Sequence, residues 1–229
     1  MFFNEIFNFE KLFDFFNYIF WFFILNVLFW LLNIPLIIFL VFIGLKGILI
    51  FFPLFLLCIL PTMPSFTVIL YCMNKLYNNK SIRLLHDFIR GFKLNFLQSF
   101  LVWFIELLAV FFIYSNIRFF TIAISGSLIL NSLFICLLIL ITVITPYIYL
   151  LISRFSMSSL QIIRLSFILT FTRPLLTITN ILLALVFLVL FEIFPSITTL
   201  FISTAYAFSM IHINKALLKH LEDISKKNN

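Results

Sequence analysis

The sequence predicts an all-α, polytopic transmembrane helical bundle of about six spans, and three observations carry that expectation. Hydrophobic residues make up 64% of the chain and charged residues only 10%, whereas soluble domains are about a quarter charged. Uncharged runs recur at the length a bilayer demands, about 20 residues each. The cations between those runs fall almost wholly on one side. With six spans, Lys11, Lys75, Lys80, Arg83, Arg90, Lys93, Arg154, Arg164, Arg173, Lys215, Lys219, Lys226 and Lys227 share a compartment with both termini. That is 13 of the 15 Lys and Arg residues, leaving Lys46 and Arg118 opposite. The positive-inside rule makes the crowded side cytoplasmic. The net charge of +7 is therefore topogenic; anionic lipid is an expected partner and nucleic acid is not. All 229 residues are read as one integral membrane domain.

Taken in order, residues 2–16 are half-polar, with Glu5, Glu10 and Asp14 set against Lys11 alone. A signal peptide needs a positive start and a small-residue cleavage site, so an interfacial helix leading into the first span is expected instead. Span one, 17–45, holds no charge, and Pro35 predicts a kink. Gly44-Leu45-Lys46-Gly47 reads as a turn. Span two, 48–74, is broken by Pro53, Pro61 and Pro64. Its Pro61-Thr62-Met63-Pro64-Ser65 patch is the expected place for unwound backbone, which membranes tolerate only where protein or a wet cavity covers it.

The polar interval 71–99 follows. At about 100° per residue, Arg83, His86, Asp87, Arg90 and Lys93 fall on one side of a helix, and Ile82, Leu85, Phe88, Ile89, Phe92 and Phe96 on the other. This predicts an amphipathic helix lying at the cytoplasmic surface, preceded by an Asn78-Asn79 turn, capped by Ser81 and free to bend at Gly91. Span three, 96–116, contains Glu106, and Arg118 marks its far end. Span four, 128–149, is entered through Ser125-Gly126-Ser127, with Pro146 near its exit. A second polar interval carries Arg154, Arg164 and Arg173 and an apolar ridge of Leu160, Ile163 and Phe167, so a second surface helix is expected. Spans five and six, 174–191 and 197–213, are joined by a short turn containing Glu192 and Pro195.

Candidate sites are few. Glu106 is the one charge well inside a span, where it costs about 3 kcal/mol on insertion scales. It either pairs structurally, with Arg118 or a Ser/Thr of another helix, or serves a transport or binding role. The basic surface helix has three readings: topogenesis with headgroup contact, a docking helix for a cytoplasmic partner, and lipid-specific regulation. In the docking reading Arg83, Arg90 and Lys93 meet acidic partner groups while Phe88 and Phe92 fill a groove beside Asp87, as ABC-importer permeases present a short helix to their ATPase. Cys58, Cys72 and Cys136 read as buried small hydrophobes. HExxH, GxSxG and Walker-type motifs are absent, so neither catalysis, a cofactor nor a metal is expected.

Three segments resemble the YesL-like integral membrane proteins of Gram-positive bacteria. Asn26-Val27-Leu28-Phe29-Trp30-Leu31-Leu32-Asn33-Ile34-Pro35 is similar to that family's N-L-L-W-L-L-x-x-L-P opening. Pro61 through Tyr71, Lys75-Leu76 and Asp87 through Ser99 resemble its second block, D-F-F-R-x-F-K-x-N-F-K-Q-S. Pro146 through Met157-Ser158 resembles a looser third, ending A-R-F-D-M-S. The chain departs from the pattern in its long interval between Pro35 and Pro61. The resemblance implies a bacterial cytoplasmic membrane and an association with carbohydrate uptake, since such proteins accompany sugar ABC importers. It supplies no catalytic residues. The expected function is an accessory or scaffold subunit docking to ABC permease or ATPase subunits; the alternatives are a self-sufficient carrier or channel using Glu106 and, third, a membrane enzyme without motif support.

Overall fold

A computed structural model describes residues 9–123 and 128–227. Residues 2–8 of the expected lead-in and the Ser125-Gly126-Ser127 turn lie outside the described residues. Among the described residues the chain forms nine α-helices and a 3-10 turn. They are α1 (Phe9–Leu32), α2 (Ile34–Phe42), α3 (Phe52–Cys58), α4 (Thr62–Asn79), α5 (Leu84–Ala123), α6 (Leu128–Ile152), α7 (Ser159–Thr172), α8 (Pro174–Ile193) and α9 (Pro195–Lys227).

Five segments are long and apolar enough to cross a bilayer: α3 with α4, then α5, α6, α8 and α9. The α1–α2 pair makes a sixth when its 70° bend is counted within one span. This is a multi-pass membrane protein. Span one is thus not a kinked rod but a broken one, and the break falls at Asn33, two residues before Pro35. Proline removes a donor and drives its predecessor away from helical backbone. The Asn33 side chain covers the gap: it donates to the Phe29 carbonyl at 2.8 Å and the Ser65 hydroxyl at 3.3 Å, and accepts from the Thr62 hydroxyl at 2.8 Å. Past the bend, α2 packs on α3, with the Phe39 and Phe55 rings 5.5 Å apart.

Span two is also interrupted, at residues 59–61. The unwinding therefore stops at Pro61, and the rest of the expected Pro61–Ser65 patch is already helical. Proline without its N–H suits the first turn of a helix, where that donor has no partner anyway. The Ile59 carbonyl accepts the Thr62 backbone N–H at 3.0 Å and also the Trp103 indole N–H at 3.1 Å, so protein covers the unwound backbone as membrane depth requires.

The bundle is arranged around α4. Residues 64–70 are buried on every side of that helix, which packs against α1, α5, α6 and α9. Antiparallel to α9, α1 brings Phe22 to Phe208 at 5.4 Å and the Asn26 amide to the Thr199 carbonyl at 2.7 Å. Asn26 also accepts from the Ser203 backbone N–H at 3.1 Å, and the Trp30 indole reaches Thr199 at 2.9 Å. The end of α4, the start of α5, the connection after α6 and the last turns of α9 consequently meet at one end of the bundle, as Tyr77–His212, Lys75–Asp87 and Arg154–Glu222 contacts show. Within lipid such polar contacts contribute about 0.6 kcal/mol each on average and up to about 1.7. Asn33→Leu removes three of them at a helix break, so a loss of about 1.5 kcal/mol is expected, read as a lower melting temperature in detergent with the fold retained.

Candidate functional site

The expected amphipathic surface helix is not a separate element. It forms the first turns of α5, whose 40 residues extend about 60 Å at 1.5 Å per residue, twice the roughly 30 Å hydrocarbon core. Those turns precede the span at 96–116 and project beyond it. Ser81 does not cap them; its hydroxyl faces the Asn79 carbonyl at 3.5 Å, and Lys80 ends α4 in the left-handed region at φ 55°.

Asp87 takes the capping role. It is fully buried and accepts the Arg83 backbone N–H at 2.9 Å and the Lys75 ammonium at 2.6 Å, with His86 Nδ1 at 3.3 Å. Burial alone raises a carboxyl's pKa, but here the bonds from Lys75, Arg83 and His86 prevail and hold it below its ordinary value of 3.8. Gly91 is a contact point rather than a bend, since a Cβ there would come within 2.7 Å of the Tyr71 ring on α4. Asp87, Gly91, Asn95, Ser99 and Val102 recur at helical spacing as the buried stripe of α5.

The buried side of this helix matches neither expected face: of the polar set only Asp87 turns inward, and Phe88 of the apolar set turns inward with it. Its small and polar side faces α4, where small residues let backbones approach, and Leu85 and Ile89 of the expected apolar ridge point outward, 64% and 52% exposed. Two residues expected at the contact surface, Asp87 and Phe88, are buried instead. Phe92 is half-buried, its ring stacked 4.1 Å from that of Phe96. Arg83, Arg90 and Lys93 remain exposed. In α7 the expected ridge likewise points outward: Leu160, Ile163 and Phe167 are exposed, while Ile162, Ser166 and Leu169 are buried. Its cap is Ser158, whose backbone N–H donates to Gln161 at 3.1 Å.

Glu106 does not reach Arg118, which lies over the Tyr114 ring at 5.9 Å. Its Oε2 accepts the Tyr149 hydroxyl of α6 at 2.7 Å. Tyr149 is itself buried, with Trp103 edge-on at 6.2 Å, so the carboxylate and the broken end of α3 share one cluster through Trp103. Of the cysteines, Cys72 is buried, Cys58 is half-buried and Cys136 is exposed on α6, a departure from the expectation that all three pack inside. No three His, Cys, Asp or Glu side chains among the described residues lie close enough to share a metal ion.

Sequence reasoning passed over the other polar anchors. Arg154 donates to Glu222 at 2.6 Å and to Asn74 at 2.7 Å; Asn180 and Asn214 exchange amide bonds across α8 and α9 at 2.8 and 3.4 Å; and Gln98 reaches the Met157 carbonyl at 2.8 Å. The available signal was asparagine inside uncharged runs, where each amide needs a partner. Many of these anchors, from Asn26 and Asn33 through Lys75, Asp87 and Gln98 to Arg154, sit in the segments that carry the family resemblance.

Residues 22–117 match the family described as Protein of unknown function, DUF624. YesL-like proteins belong to that family, so the resemblance stands over this part of the chain. The DUF624 segment runs from α1 to the outer turns of α5. It contains the whole Asn33–Thr62–Ser65 junction and the Lys75–Asp87 pair. No curated protein and no solved structure matches the chain.

Asp87→Asn keeps the volume but loses the charge that faces Lys75, and a loss of about 2 kcal/mol is expected, the scale of hydrogen bonds to charged groups. Because the folded pKa is depressed, the wild-type contribution is complete above the ordinary value of 3.8 and disappears as pH falls through the folded value. Acid titration of melting temperature should show that limb in the wild type and not in the variant.

Proposed function

We propose that this chain is an accessory or scaffold subunit of a bacterial cytoplasmic membrane, with both termini cytoplasmic, that docks to an ABC-type importer for carbohydrate. The observation that carries the reading is the projecting start of α5. There Arg83, Arg90 and Lys93 are exposed beside outward-facing Leu85 and Ile89. Asp87, Lys75 and the Gly91–Tyr71 contact fix this end of the helix rigidly on α4, as a docking surface requires. Cations flanking exposed aliphatic groups suit an acidic partner groove as well as an anionic lipid surface, and the rigid seating on α4 favours the groove, with Asp87, Phe88 and Phe92 supporting the helix from behind rather than touching the partner.

Arg83→Glu, Arg90→Glu and Lys93→Glu together should release a co-purifying permease or ATPase while the melting temperature of the chain stays unchanged, because none of the three side chains is buried. A complex that survives the triple reversal, or a chain that is isolated alone at native expression, removes the proposal.

The second reading, a carrier working through Glu106, has in its favour that an ionisable group sits at membrane depth. Glu106→Gln still accepts the Tyr149 hydrogen bond through its amide oxygen. Uptake into vesicles that depends on pH in the wild type and is lost in Glu106→Gln would favour the carrier; identical vesicles with either protein would leave Glu106 as a structural partner of Tyr149.

A further inference from the structure

Between the end of α4, the connection after α6 and the last turns of α9 lies a cleft of about 490 Å³. Arg154, Lys215 and Lys219 line it with Glu222 as the one acidic group, and Tyr77 and Ile211 add apolar wall. Three positive charges against one negative leave an excess of two, and a concave wall concentrates their field where a convex helix face such as that of Arg83 and Arg90 does not.

The central cation is built in place. The Arg154 side chain is only 13% exposed, and its Nε and Nη1 are engaged by Glu222 at 2.6 Å and Asn74 at 2.7 Å. A guanidinium carries five N–H donors, so the fork is oriented while donors remain beyond these two bonds. Lys215 and Lys219 stand one helical turn apart on α9, both exposed, and need no rearrangement to reach a ligand. An oriented guanidinium suits the geometry of a phosphate, with lysines as flexible point charges beside it. The volume falls within the roughly 300–1,000 Å³ of small-molecule sites.

We infer that this cleft binds a phosphate-bearing anion, supplied either by a lipid headgroup or by a free phosphorylated small molecule. The site is separate from the α5 docking surface, and its occupancy does not depend on an importer partner.

The test uses the full chain in nanodiscs. In one arm, neutral phosphatidylcholine discs are titrated with inorganic phosphate and with glucose 6-phosphate at constant ionic strength, chloride serving as the control. In the other, phosphatidylglycerol replaces phosphatidylcholine stepwise without added phosphate. The melting temperature is read for the wild type, for Lys215→Gln with Lys219→Gln, whose side chains are exposed and do not support the fold, and for Arg154→Lys, which keeps the charge and loses the fork. A wild-type rise in the first arm, with a midpoint at least tenfold higher in the lysine double variant, identifies a free anion. A rise confined to the second arm, and weakened in the same variant, identifies a headgroup. If neither arm moves the wild type, or if both variants respond as the wild type does, the inference is wrong.

Discussion

A bilayer is as apolar as leucine, so hiding leucine from lipid cannot hold helices together. Everything in this bundle follows from that constraint. Exposed Leu, Ile and Val side chains face outward along α2, α6 and α8, while amides, hydroxyls and a few ion pairs link the helices across an interior that is otherwise apolar. Helix α4 is the meeting place. Thr62 and Ser65 hold Asn33 at one end, Gly91 lies against Tyr71 further along, and Lys75 and Asn74 hold Asp87 and Arg154 at the other. Two backbone interruptions that would be ruinous in lipid are each covered by a side chain: Asn33 bonds the Phe29 carbonyl at its own break, and Trp103 of α5 bonds the Ile59 carbonyl at residues 59–61.

The same constraint sorts the charges by role. Asp87 and Arg154 hold the bundle's polar end together, Asp87 buried and bonded to Lys75, Arg83 and His86, and Arg154 half-buried and bonded to Glu222 and Asn74. Arg83, Arg90 and Lys93 are left over, on helix turns that α5 pushes beyond the membrane because it is longer than the membrane is thick. A rigid helix end displaying unspent cations is a surface suited to a partner, and a cleft with an oriented arginine is a surface suited to a small anion. The two share no residue.

Much of the architecture was legible in the residues. Uncharged runs located the spans, Pro35 and Pro61 located both irregular regions to within a few positions, and the cation asymmetry grouped the two polar intervals with the C-terminal tail, an arrangement the Tyr77–His212 and Arg154–Glu222 contacts reproduce. What the sequence hid was direction. Periodicity separates two faces of residues 82–96 but does not say that the contact with α4 falls at their boundary, on Asp87, Phe88 and Gly91. Asp87 and Phe88, expected at a contact surface, lie inside; Gly91 looked like a hinge because its neighbour, Tyr71, comes from another helix. Glu106 found Tyr149, and Arg154 found Asn74 and Glu222, across separations that no local pattern encodes.

The inward orientation of the polar stripe on α5 is the claim on which the rest depends, and disulfide trapping in native membranes reads it directly. In a chain whose own cysteines are replaced, Tyr71→Cys combined with Gly91→Cys should cross-link rapidly under mild oxidation, while Tyr71→Cys combined with Ile89→Cys should not. Cross-linking of the Ile89 pair in preference to the Gly91 pair would turn the helix over, bury its cations and contradict this account.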